Sequence, residues 1–195
     1  MLRTLRPAVS LFLALSVLTG LLYPLVITSI AQIVFPWRAN GSVIAVHGTP
    51  VGSTLIGQAW SAPGDFWGRP SATAPQPYNG LASGGSNLGP TNPAELSAVE
   101  ARIEALHAAD PGNQAQVPVD LVTASGSGLD PEISLAAAEY QRDRVARARH
   151  IGPRQVQNLI DAYARRPFLG IIGEPRVNVL ELNLALDGVP VSPVN

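Results

Sequence analysis

The sequence predicts a mixed α/β domain of the α+β kind, anchored by one N-terminal transmembrane helix. Three observations carry that prediction. No charged residue lies between Arg6 and Arg38, and the interval is mostly Leu, Val, Ile, Ala and Phe. Beyond it, short β-rich runs alternate with stretches of helical periodicity. The chain after residue 40 is long enough for one domain with a real core and too short for two. The organisation expected is a short cytoplasmic N-terminus over 1–10, a transmembrane helix over 11–35 and an extracytoplasmic domain over 40–195.

The anchor rests on length. At about 1.5 Å rise per residue, roughly 20 apolar residues cross the hydrocarbon core of a bilayer. The run from Leu11 to Phe35 exceeds that. A cleavable signal peptide would also begin with basic residues such as Arg3 and Arg6. Its apolar region, however, is only about 7–15 residues and ends at a small-residue cleavage site. Here the run continues through Leu21–Ile27 to Ile33-Val34-Phe35, with no Ala-x-Ala pattern at its end. Arg3, Arg6 and the terminal amine precede the helix and only Arg38 follows closely. Positive-inside bias therefore leaves the N-terminus in the cytoplasm and sends the rest across. Trp37 beside Arg38 suits the far interface, where an aromatic ring and a guanidinium both reach water. Pro24 lies mid-span and should bend the helix or release a carbonyl. Ser10, Ala14, Ser16, Thr19 and Gly20 offer small side chains against which a neighbouring helix could pack.

Composition excludes several classes. A net charge of −1 leaves no electrostatic footprint for nucleic acid. Cysteine is absent, which removes disulfides, thiol catalysis and Cys-zinc sites together. An extracytoplasmic domain without disulfides fits a bacterial envelope better than a small eukaryotic secreted module. Every basic residue is Arg, so no mechanism that needs lysine is open: neither P-loop phosphate binding nor a Schiff base.

Taken in order, Val43–Val46 and Val51–Ile56 read as strands, with His47-Gly48-Thr49-Pro50 turning between them. From Pro63 to Pro93 the chain is rich in Pro, Gly, Ser and Asn, which is long for a loop. Its aromatic residues Phe66, Trp67 and Tyr78 argue for an ordered loop laid on a surface. Asn92 is a good N-cap and Pro93 a good first helical residue. Leu96, Val99, Ile103 and Leu106 repeat at helical spacing, and Asp110-Pro111-Gly112 stops that helix. Val117–Thr123 reads as a strand. Asp130-Pro131 reads as the cap and first turn of a helix reaching about Arg149, and a further helix starts near Pro153. Val177–Leu186 reads as a final β-rich run.

The chemical signals are sparse. Gly84–Thr91 has glycines at P-loop spacing, but Pro90 stands where the lysine is required. The Ser125–Gly128 turn could offer amides to an anion at a following helix start. His47, His107 and His150 are far apart and show no metal-ligand spacing. Arg142, Arg144, Arg147 and Arg149 form a basic helical stretch of the kind that is usually a solvated face. No nucleophile-elbow pattern is present. An anchored domain without a catalytic signature reads as an accessory subunit. A free-standing anchored periplasmic binding protein or hydrolase is the alternative.

Several motifs in one order resemble the KdpC family. They are Val51-Gly52-Ser53 with Leu55-Ile56-Gly57-Gln58, Phe66-Trp67-Gly68-Arg69-Pro70-Ser71, and Ser83 through Asn92. Val117 through Ser125, Leu129-Asp130-Pro131 and Val177-Asn178-Val179 with Leu182 through Asp187 continue the series. The resemblance spans the chain from anchor to C-terminus. It implies a single-span, non-catalytic subunit of a bacterial inner-membrane potassium-transporting P-type ATPase. It also implies partners: a channel-like potassium-translocating subunit, a P-type ATP-hydrolysing subunit and a very small single-span subunit. No intrinsic cofactor is expected. The family role is described as that of a catalytic chaperone raising the ATP affinity of the hydrolysing subunit, with ATP shared between the two. The residue matching the glutamine proposed to touch nucleotide is Gln141. Glu132 stands where His or Asn is expected. An extracytoplasmic domain instead favours a cap over the potassium entrance, with Phe66, Trp67, Arg69, Tyr78, Asn87 and Asn92 as contact candidates. Leu11, Gly20, Pro24, Phe35 and Trp37 mark the anchor.

Overall fold

The computed structural model of the chain describes residues 2–167 and 170–189. It falls into two units, one ending at Val43 and the other beginning at Ile44. In the first, helix α1 (Leu2–Val17) runs through a π turn (Leu18–Leu22) into α2 (Tyr23–Val34). The helix thus begins well before Leu11, and the basic flank of Arg3 and Arg6 lies on its first turns. Residues 3–34 are long and apolar enough to cross a membrane, with a mean hydropathy of 2.1 over their most apolar stretch, none of which is buried. The π turn sits just ahead of Pro24. A proline lacks the N–H for a helical bond and its ring crowds the carbonyl four residues back. The widened turn takes up that mismatch, and the Tyr23 amide reaches back five residues to the Leu18 carbonyl. Thr19 and Ser29 return their hydroxyls to the Leu15 and Leu25 carbonyls, each at 2.8 Å, so neither is left unpaired in an apolar setting. Phe35 leaves helical geometry (φ −133°, ψ 53°), and Pro36 opens a four-residue helix, α3 (Pro36–Ala39). Trp37 donates its indole N–H to the Val43 carbonyl at 3.0 Å.

Apart from Val43, the hairpin of β1 (Val43–Val46) and β2 (Thr49–Ser53) belongs to the second unit. An irregular segment follows, then α4 (Pro93–Ala109) and a 3₁₀ turn (Val119–Leu121). Next come β3 (Glu132–Ser134), α5 (Leu135–Arg149), α6 (Pro153–Tyr163), β4 (Arg176–Asn178) and α7 (Val179–Leu186). β3 and β4 pair antiparallel, with Ile133 opposite Val177. The core gathers Phe66, Ile133, Ala137, Val145, Val156, Ile160, Val177 and Leu182, where the inner faces of α5, α6 and α7 meet the small sheet.

The mixed α+β class holds, and α4 begins as expected, with the Asn92 side chain accepting from the Ala94 amide at 2.9 Å. Four expectations change. Val117–Thr123 is not a strand: Pro118 opens a 3₁₀ turn over Val119–Leu121, which meets β3 through a side chain rather than a backbone ladder, the Asp120 carboxylate accepting from the amide and hydroxyl of Ser134. The second strand ends at Ser53 rather than Ile56. Helix α5 is capped by Ser134, whose hydroxyl accepts from the Ala137 amide, while Asp130 accepts from the Glu132 amide one turn earlier. Most of Val177–Leu186 is helix. Its alternation of Leu with Glu181, Asn183 and Ala185 imitates a strand, but α7 is enclosed from Val179 to Leu184, so leucines are needed all round.

Candidate functional site

The irregular segment from Ala62 to Pro70 is built from Pro, Gly and aromatic residues and forms neither strand nor helix of its own. Its backbone polar groups must find partners elsewhere, and side chains of α5 and α7 supply them. Asn183 of α7 accepts from the Phe66 amide at 2.8 Å and donates to the Phe66 carbonyl at 3.0 Å. Gln141 of α5 accepts from the Trp67 amide at 2.8 Å and donates to the Trp67 carbonyl at 3.1 Å. One turn on, Arg144 donates to the carbonyls of Pro63 and Asp65 and to the Gln141 side chain, and its guanidinium carbon lies 4.4 Å from the centre of the Trp67 ring. Arg149 donates to the Gly64 carbonyl and bridges Asp65 and Asp187. The segment is therefore a strap held down by two helices.

This arrangement corrects the reading of the basic stretch on α5. Arg144 is 4 % exposed, and its burial holds the guanidinium down to about 10, against the opposing pull of Asp110 and Asp65. Arg144 and Arg149 face the strap, whereas Arg142 pairs with Asp143 and Arg147 with Asp110. The spacing of Gln141, Arg144 and Arg149 along one side of a helix was the available signal, with Asp65 as its acidic complement.

Gln141 is 1 % exposed. Its amide oxygen accepts from Trp67 and Arg144, and its amide nitrogen donates to Trp67 and to the Ala137 carbonyl at 3.2 Å. A carboxamide has two acceptor sites and two donor hydrogens, and all four are engaged. A direct contact to nucleotide would require breaking one of them. Phe66 is 0 % exposed and belongs to the core, so its side chain is not a surface contact. Trp67 is half-buried and Arg69 bridges Asp130 at 3.1 Å. The Tyr78 hydroxyl donates to the Arg69 carbonyl at 2.5 Å, and burial, aided by Asp130, pushes its pKa up to about 12. Asn87 is exposed with a left-handed backbone (φ 54°), and Asn92 is the cap of α4. Leu81, at 99 % exposure, and the exposed Leu88 lie on the same loop.

The strap continues along the turn at 125–130. Ser71 donates to the Gly128 carbonyl at 2.7 Å, Gly84 donates to the Ser127 carbonyl at 2.9 Å, and the Gly57 amide reaches the Leu129 carbonyl at 2.8 Å. The turn thus serves as a bed for the strap, and the helix it was expected to open starts only at Leu135. Close by, a cleft of about 410 Å³ is lined by Arg69, Asp120, Asp130, Glu132 and Arg176 among others. Three of its acids are engaged: Asp120 with Ser134, Asp130 with Arg69, and Glu132 with Arg165 and Arg176. Among the described residues no cluster of His, Asp or Glu has the makings of a metal site.

A sequence model of the family described as "K+-transporting ATPase, c chain" (KdpC) matches residues 5–188. Curated proteins named potassium-transporting ATPase KdpC subunit are similar throughout. That of Variovorax paradoxus is 64 % identical over 182 residues, which is 93 % of this chain and 94 % of that protein. That of Polaromonas naphthalenivorans is 61 % identical over 98 % of this chain and 96 % of its own length. That of a Janthinobacterium strain is 60 % identical over 94 % and 97 %.

Proposed function

Because the chain belongs to the KdpC family of potassium-transporting ATPase subunits, we propose that it is a non-catalytic, single-span subunit of the bacterial inner membrane. Its soluble domain lies on the periplasmic side and caps the potassium entrance of the complex. The observation that carries this reading is the strap at 62–70, fastened by four side chains of α5 and α7 and continued by a loop with exposed Leu81 and Leu88. Immobilised irregular backbone beside exposed apolar residues is suited to docking on a protein surface. Its partners are a channel-like potassium-translocating subunit, a P-type ATP-hydrolysing subunit and a very small single-span subunit, within the lipid bilayer. The uncharged span, with Ser10, Ala14 and Gly20 on a helix whose most apolar stretch is unburied, supplies a packing surface for their helices.

A catalytic-chaperone role, with ATP shared with the hydrolysing subunit through Gln141, has less support: Gln141 is enclosed and fully bonded, and the bias of the flanking charges favours a domain across the membrane from cytoplasmic ATP. Acting alone as a binding protein or hydrolase has less support, because among the described residues no group of His, Asp or Glu could hold a metal ion. Co-purification in mild detergent, with potassium-stimulated ATP hydrolysis measured with and without this chain, tests the reading. The expected result is a fixed stoichiometry with membrane partners and hydrolysis that depends on the chain. Recovery of the chain alone, with hydrolysis unaffected by its loss, would contradict it.

A further inference from the structure

Asn183 and Gln141 grip successive residues of the strap in the same way. Each carboxamide takes both the N–H and the C=O of a single residue, Phe66 and Trp67 respectively, as a neighbouring strand would. They come from different helices, α7 and α5, and both are buried. Few side chains place a donor and an acceptor side by side, and a carboxamide is one of them. Without it, the backbone groups of Phe66 and Trp67 would be buried unpaired, and the strap would open instead. Two further bonds carry the restraint outward: the Tyr78 hydroxyl holds the Arg69 carbonyl, and Asp130 holds the Arg69 guanidinium.

We propose that Gln141 and Asn183 are a pair of positioning residues that fix the face presented by Trp67–Pro70, and that through this face they set the apparent potassium affinity of the assembled complex. This rests on the reading that the strap docks over the potassium entrance. Any effect of altering Gln141 on ATP hydrolysis then passes through the strap and has an equal counterpart at Asn183, a residue on a different helix.

The test uses the reconstituted complete complex with Gln141→Ala, Gln141→Glu, Asn183→Ala and Asn183→Asp in this chain. Protease cleavage within residues 62–92 reports opening of the strap. Potassium-stimulated ATP hydrolysis gives the apparent potassium affinity and the KM for ATP separately. Both alanine variants should speed cleavage by about thirtyfold, the scale of the two net hydrogen bonds to the strap that each one loses. Both should weaken apparent potassium affinity by a matching factor, with the KM for ATP unchanged. Gln141→Glu keeps the acceptor for the Trp67 amide and loses the donor, so it should fall between wild type and Gln141→Ala. Should an alanine variant fail to assemble, Gln141→Glu and Asn183→Asp decide on the same readouts. A raised KM for ATP in Gln141→Ala, with cleavage and potassium affinity unchanged, would overturn the proposal in favour of direct nucleotide contact. Unchanged cleavage in both alanine variants would overturn the clamp itself. Faster cleavage in both with unchanged potassium affinity would overturn the docking reading on which the proposal rests, while the clamp would stand.

Discussion

Asn183 sits on α7 with no exposed surface, and both ends of its amide are bonded to Phe66. Asn183→Leu keeps the volume close but orphans two buried backbone groups. At about 1–3 kcal/mol for each unpaired group, the loss should be about 3 kcal/mol. Thermal unfolding of the purified chain in detergent measures it, and a loss under about 1 kcal/mol would show that the strap re-pairs elsewhere. Tyr78 offers a second check at this scale. Its folded-state pKa stands near 12, raised by burial and by Asp130. The folded state therefore keeps a proton that the unfolded chain has released, so the stability Tyr78 contributes is full below the unfolded value and falls as pH rises from that value towards 12. The difference between wild type and Tyr78→Phe in absorbance of tyrosinate should show a transition close to 12. A transition at the ordinary tyrosine value would contradict the buried placement.

At the scale of elements, the bed beneath the strap depends on Gly128. Its backbone is left-handed (φ +67°), and a Cβ there would come within 2.6 Å of both the Gly84 carbonyl and the Thr73 methyl. Gly128→Ala should destabilise by about 3 kcal/mol, combining conformational and steric costs, and should expose residues 71–85 to protease. Normal protection would contradict this. Between β4, α7 and the end of α6, Arg165 donates to both oxygens of the fully buried Glu181 and to Glu132. Arg165→Met leaves the Glu181 charge uncompensated, a cost of about 3–5 kcal/mol, and Arg165→Met with Glu181→Met should recover most of it. Burial already raises the Glu181 pKa against the pull of Arg165. Without Arg165 the folded state should bind that proton still more firmly, so stability should increase as pH falls from neutrality towards the unfolded glutamate value. Chemical denaturation as a function of pH reads this directly; a pH-independent loss would contradict it.

The same elements show what the sequence could and could not disclose. Helix α4 was legible because its cap, its proline and its stop are local signals. Helix α7 was not, since Leu180, Leu182, Leu184 and Leu186 alternate with other residues as in a strand, and only tertiary enclosure makes a helix of them. Of the strap, the aromatic residues announced order, but the grip of Asn183 on Phe66 joins residues too far apart in the chain for any local pattern to reveal. Gln141 came to notice through family resemblance, and only the fold shows that its amide faces the backbone of Trp67.

At the scale of the molecule, two units share one chain: a helix long and apolar enough to cross a membrane, and a domain whose buried polar side chains bind its own irregular backbone. Membership of the KdpC family supplies the setting of a potassium-transporting ATPase. The central claim is that the 62–92 loop meets the potassium-translocating subunit on the periplasmic side. Photocrosslinking from an aryl-ketone amino acid placed at Leu81 or Leu88, both exposed, in the intact complex in native membranes tests it most directly. The account predicts adducts with the potassium-translocating subunit. Adducts confined to the cytoplasmic domains of the ATP-hydrolysing subunit would contradict it.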